Sequence, residues 1–123
     1  MTRQGGCVCG KVRFTVTGNP IRTGLCHCGD CRKTSGSHFS AFAIWPIAAY
    51  TGTGELKTHA GRSFCPECGS RVVHLRSDEA EILLGSLDEP PTEIIPEYEV
   101  WICRREPWMH PLPWAEQFDR DRN

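Results

Sequence analysis

No apolar run in this 123-residue chain approaches the ~20 residues of a membrane span. The opening "MTRQGGCVCG" lacks the apolar stretch of a secretion signal. An excess of charge is missing too: 14 basic against 15 acidic residues leave a net charge of −1, which argues against an electrostatic grip on nucleic acid. There are no internal repeats, low-complexity tracts or convincing linkers, and no long amphipathic helix can be traced. The expectation is a single cytoplasmic domain over residues 1–123 with neither membrane nor nucleic-acid partners. Its size suffices to bury roughly two-thirds of the unfolded surface; its oligomeric state is not legible.

What is present is short alternation. "GKVRFTVTG" sets Val12, Phe14 and Val16 against Lys11, Arg13 and Thr15 and ends at Gly18, Asn19 and Pro20, the pattern of a half-buried strand. "HFSAFAIWP" places Phe39, Ala41, Ala43 and Trp45 on one face before Pro46. "SRVVHLRS" and "AEILLGSL" read as consecutive strands around Ser77–Asp78, and "GELKTHAG" as a short edge strand. "EYEVWICRR" alternates Tyr98, Val100 and Ile102 against Glu99, Trp101 and Cys103. "CRKTSGS" holds at most one helical turn, ending at Gly36. "DEPPTEIIPE" is a long loop, and the proline-rich tail over 109–123 is irregular with a frayed end. Recurrent short strands between turn residues predict a mostly β, sandwich- or barrel-like fold.

Cysteine is the abundant residue that needs explaining. Of 8 cysteines, seven fall in tight groups: Cys7 and Cys9; Cys26, Cys28 and Cys31; Cys65 and Cys68. Partners one or two residues apart rarely meet disulfide geometry, whereas such spacings aim several sulfurs at one cation. Metal binding is therefore favoured over disulfides or redox dithiols. "CVCG" and "CPECG" each end in Cys-Gly, where glycine tolerates φ > 0 and lets the turn curl N–H groups toward sulfur. Cys7, Cys9, Cys65 and Cys68 together make a closed structural zinc site.

That leaves Cys26, Cys28 and Cys31 as three donors, the number found at zinc sites that do chemistry and keep one exchangeable position. Three thiolates make an electron-rich centre, better suited to an incoming thiol than to a strong hydroxide. A helical turn starting at Cys31 would further favour its thiolate. By alternation His27 faces outward rather than toward the cluster. His38, His59, His74, His110 or Cys103 remain as donors that could close the site. Iron is possible, although a cluster would want four cysteines of its own. Cys103 is expected as a small buried packing residue.

In order, "GGCVCGKVRF", "CHCGDCRKTSGS", "FCPECGSRV" and "RREPW" resemble the glutathione-dependent formaldehyde-activating enzyme family, which includes centromere protein V. The resemblance runs from about residue 5 to 108. It implies a zinc-stapled β-tent of packed antiparallel sheets and two zinc ions per chain. The structural zinc falls on positions matching Cys7, Cys9, Cys65 and Cys68, and the catalytic zinc on those matching Cys26, Cys28 and Cys31. The implied reaction is of carbon–sulfur lyase type, joining a thiol such as glutathione to formaldehyde. Glutathione carries two carboxylates, so Arg32, Lys33 and Arg62 are candidate substrate contacts. A non-catalytic zinc-stapled binding module and a thiol or zinc redox sensor are the alternatives. Trp101 is expected in the core or on a sheet face, with Trp108 and Trp114 pinning the tail across the sheet.

Overall fold

The alternating segments do form strands, and these sort into two sheets of unequal size. In chain order the computed structural model, which describes residues 1–123, contains β1 (Thr2–Gly6), β2 (Arg13–Thr17), β3 (Arg22–Cys26), helix α1 (Gly29–Ser35), β4 (Ser40–Pro46), β5 (Tyr50–Thr53), β6 (Lys57–His59), β7 (Arg62–Phe64), β8 (Arg71–Leu75), β9 (Glu79–Leu83), β10 (Tyr98–Val100) and β11 (Glu116–Gln117). Strands β1, β2 and β5 make a three-stranded sheet; the others run in the order β11-β10-β3-β4-β9-β8-β7-β6. All pairings are antiparallel except two: β10 lies parallel to β3, with Val100 opposite Cys26, and β11 lies parallel to β10.

The core follows from β4. Its sequence "SAFAIWP" is almost continuously apolar because both faces of the strand are covered. Ala43 and Trp45 point into the larger cluster, where Val12, Phe14 and Val16 of the small sheet meet Val72, Val73, Ala80 and Ile82 of the large one. Phe42 and Ile44 point the other way, onto Cys26, Cys31, Tyr98 and Val100. Fully burying each large side chain is worth roughly 1.5–3 kcal/mol, so β4 joins two cores through one backbone. Gly24 of β3 is needed for the second core. A Cβ there would lie 2.9 Å from the Phe42 ring and 3.0 Å from the Tyr98 ring, which pack edge to face at 5.9 Å.

Three local expectations are corrected. The strand anticipated through Cys103 stops at Val100, because Trp101 adopts a left-handed conformation (φ 58°) and residues 102–104 form a 3-10 turn. Cys103 is consequently exposed rather than buried. The tail is not frayed at its end. Phe118 N–H donates to the Glu99 carbonyl at 2.9 Å and Trp101 N–H to the Arg120 carbonyl at 2.9 Å. The Arg120 and Arg122 guanidiniums sit over the Trp101 and Tyr98 rings at 5.1 and 5.2 Å, an arrangement that adds cation–π attraction. Trp114 does pin the tail, its Nε1 donating to the Pro96 carbonyl at 2.9 Å. Trp108 meets the ring of His38 edge-on, at 4.6 Å.

Candidate metal centres

The first cluster joins the two sheets. Cys7 and Cys9 lie in the β1–β2 turn of the small sheet, Cys65 and Cys68 in the β7–β8 turn of the large one, and their four sulfurs lie within 4.8 Å of one another. Cys7 Sγ is 3.5 Å from Cys9 Sγ, which is 3.7 Å from Cys65 Sγ. Four sulfurs at the usual ~2.3 Å from a tetrahedral zinc stand about 3.8 Å apart, so the donor set fits that ion. Both turns curl as the Cys-Gly endings require. Gly10 and Gly69 have φ of 82° and 78°, and the Val12 N–H donates to Cys7 Sγ at 3.3 Å. The Ser70 hydroxyl, 3.2 Å from Cys68 Sγ, is the largest influence holding the Cys68 thiol down at about 5, followed by the Ser70 and Cys9 N–H groups.

The second cluster is built where β3 runs into α1. Cys26 ends the strand, Cys28 caps the helix and Cys31 sits in its first turn, with all three sulfurs within 4.8 Å of one another. Cys28 occupies the N-cap position usually taken by Ser or Asp. Its sulfur accepts the Cys31 N–H at 3.3 Å. At the other end Gly36, with φ 70°, closes the helix by donating to the Arg32 carbonyl, the left-handed cap that glycine favours. The Cys31 thiol is held down at about 5, foremost by the Cys26 side chain, with Cys28, Arg62 and Arg71 assisting against burial. Cys26 is pushed up correspondingly, by Cys31 and by burial. The trio thus carries a ready thiolate, and softness of the donors suits zinc. No other His, Cys, Asp or Glu joins this group of three.

His27 corrects the alternation argument. It is fully buried, not outward, because the chain leaves the strand at Cys26. It is still not a member of the donor group. Its Nε2 is 2.8 Å from Glu99 Oε1, and its Nδ1 has no partner. Glu99, also fully buried, is satisfied from all sides. Its Oε2 accepts the Leu112 N–H and the Gln117 amide, both at 2.9 Å, and Arg105 approaches Oε1 at 3.4 Å. Burial pushes this carboxyl up, but Gln117, Leu112, His27 and Arg105 together outweigh it and hold it low. Sequence reading missed this network. Its one visible trace was an acidic residue in the middle of an apolar strand pattern.

The residues expected at the substrate have separate fates. Arg32 is anchored: it is ion-paired with Glu106 and donates to the Arg104 carbonyl at 2.8 Å. With Cys28, Asp30, Trp101 and Arg104 it lines a broad open cleft of about 640 Å³. Lys33 is exposed on α1. Arg62 is half-buried, does not line that cleft and acts on Cys31. The same is true of Arg71, which sequence reading overlooked.

A mostly β protein of two sheets with two cysteine clusters able to hold zinc is the class that fold and donors define. Residues 2–104 match the family described as glutathione-dependent formaldehyde-activating enzyme, and the chain belongs to that family. Its fold is similar to the crystal structure of a protein from Rhodobacter sphaeroides. The TM-score is 0.55 at 20% sequence identity, covering 76% of this chain and 97% of the other. No helix is long and apolar enough to cross a membrane.

Proposed function

We propose that the protein promotes carbon–sulfur bond formation between a small thiol such as glutathione and formaldehyde, at a zinc held by Cys26, Cys28 and Cys31. The observation that carries this reading is the three-sulfur group without a fourth protein donor, beside an open cleft that reaches Cys28. A closed structural site needs four ligands; three leave a position for a substrate. When bound, zinc would act as the Lewis acid that keeps a visiting thiol deprotonated at neutral pH.

The chain's own residues supply the rest. Cys28 and Cys31 are fixed by the helix cap and first turn, so the donors are organised before the cation arrives. Arg32, held by Glu106, presents a fixed guanidinium at the rim of the cleft, and exposed Lys33 adds a second cation toward solvent. In the proposed step the thiol sulfur donates an electron pair to the carbonyl carbon, the carbon–oxygen π bond opens onto oxygen, and the thiol's proton ends on that oxygen. No electron is gained or lost overall. The four-cysteine site is assigned a purely structural role, and the whole of 1–123 acts as one functional domain in the cytoplasm.

Cobalt substitution tests the proposal. Glutathione should shift the ligand-field bands of one of two bound metals, and Cys28→Ser should abolish both that shift and turnover above the uncatalysed rate. Bands indifferent to every thiol would point instead to a binding module. Loss of one metal on mild peroxide and its return on reduction, without turnover, would point to a sensor.

A further inference from the structure

Between the four-cysteine turns and helix α1 lies an open cavity of about 560 Å³. Cys7 and Ser70 line it on one side, Thr34, Ser35 and Ser40 on the other, and Arg71 lines it as well. Arg71 belongs to both walls. Its backbone opens β8 opposite Phe64, directly after the turn that carries Cys65 and Cys68. That turn is tightly determined. The Cys65 N–H donates to the Ser70 carbonyl at 3.0 Å and the Gly69 N–H to the Cys65 carbonyl at 2.8 Å, while the Val8 N–H donates to Ser70 Oγ at 3.1 Å. The residue next to Ser70 therefore leaves the turn in a fixed direction.

The Arg71 side chain ends on the other wall. Its Nη1 donates to Thr34 Oγ1 at 2.8 Å and to Ser40 Oγ at 3.4 Å. Both hydroxyls have committed their hydrogens to the helix, Thr34 to the Asp30 carbonyl at 2.7 Å and Ser40 to the Cys31 carbonyl at 3.1 Å. Each turns a lone pair to the guanidinium, which can only donate. The Arg71 side chain is only 8% exposed, and its carboxylate partner, Glu81, stands 3.9 Å away and also serves Arg76 at 3.3 Å. Replacing a buried ion of this kind by an apolar side chain of similar volume is often neutral or stabilising, so stability alone does not account for Arg71. Its position does. It adjoins one cysteine cluster along the chain and is one hydroxyl removed from the Cys31 peptide of the other. After Cys26, Cys28 and Arg62, its charge also favours the Cys31 thiolate.

We propose that Arg71 is a positioning residue for the three-cysteine centre: a strut that fixes α1, with Cys28 and Cys31, against the four-cysteine turn and so sets how tightly the open centre holds its metal. Partners behind the ligands typically set metal affinity by about 10–100-fold. The inference rests on metal binding by Cys26, Cys28 and Cys31, the first half of the function proposed above, and not on the thiol reaction.

The test uses the full chain loaded with cobalt, titrated with a competing chelator and read at the sulfur-to-cobalt charge-transfer bands. Arg71→Met should weaken cobalt at the three-cysteine site by about tenfold and shift the bands of that site. The affinity and bands of the four-cysteine site and the far-ultraviolet circular dichroism should stay as they are. Arg71→Lys, which keeps the charge but not the fork, should fall between Arg71→Met and the wild type. Thr34→Val, at an exposed position on α1, removes the shortest contact of the strut without touching its charge and should weaken the same site by about threefold. Unchanged affinity at the three-cysteine site in both Arg71→Met and Thr34→Val overturns the proposal. So does equal weakening of both sites, the mark of a residue that serves only the fold. Should Arg71→Met fail to fold, Thr34→Val decides: selective loss at the three-cysteine site upholds the strut, and an unchanged site overturns it. No thiol or aldehyde enters the measurement. Cobalt bands indifferent to every thiol therefore sink the proposed reaction, while selective metal loss in Arg71→Met still upholds the strut.

Discussion

At the scale of the residue, Glu99 shows how a buried charge can be made tolerable. Four groups from three parts of the chain converge on it: His27, Arg105, Gln117 and the Leu112 N–H. Removing one member of a buried charged network costs about 3–5 kcal/mol, because the partners are left without an acceptor. Glu99→Ala should therefore lower the urea midpoint of the zinc-loaded protein by that order. It should also broaden the cobalt bands of the three-cysteine site, because His27 stands in the chain between the donors Cys26 and Cys28. Glu99→Gln keeps acceptor capacity and should lose less. An unchanged midpoint in Glu99→Ala would remove the network from the account of stability. Beyond the acidic residue in the β10 pattern, none of this was legible in advance. His27 and Glu99 are 72 positions apart, and local alternation is silent about contacts made across a sheet.

Elements tell a more even story. The strands readable from sequence are β2, β4, β8, β9 and β10, which have branched or aromatic residues and at least one buried face, together with the exposed edge strand β6. Those missed are β1, "TRQGG", and β3, "RTGLC", with the short β5, β7 and β11. Glycine depresses strand propensity in β1 and β3, and pairing with neighbours overrides that local weakness. The parallel joining of β3 to β10 is equally invisible, since nothing local records which distant strand lies alongside. By contrast, the two cysteine groupings were legible because metal geometry is written into spacing. At Gly24 the propensity penalty has a packing reason, which yields a prediction. Gly24→Ala would press a methyl against the Phe42 and Tyr98 rings, and overpacking of this kind costs about 1–3 kcal/mol. The expected readout is a lower denaturation midpoint with the metal content intact. A neutral substitution would mean that the two rings can part freely.

For the whole molecule, the four-cysteine cluster is the tie between the sheets. The small sheet otherwise meets the large one mainly through Val12, Phe14 and Val16. A structural zinc supplies folding free energy directly, so Cys68→Ser should unfold the chain or leave it metal-dependent only at much higher zinc. A mild chelator should strip the three-cysteine metal first, with little change in far-ultraviolet circular dichroism. A strong one should take the second metal and the sheet signal together. Simultaneous loss of both metals under mild chelation would contradict the division into an open and a closed site.

The spacing of the sulfurs also sets an order of assembly. Cys26, Cys28 and Cys31 occupy one short stretch, whereas the other four are drawn from turns separated by 56 positions between Cys9 and Cys65. Closing a long loop costs more entropy and comes later than closing a short one. During synthesis the near trio emerges ahead of Cys65 and Cys68, and it can capture a cation before the two sheets are tied together. The segment that carries Gln117 to Glu99 emerges later still. The three-cysteine centre is thus free to load early and is braced only when that segment folds against Glu99.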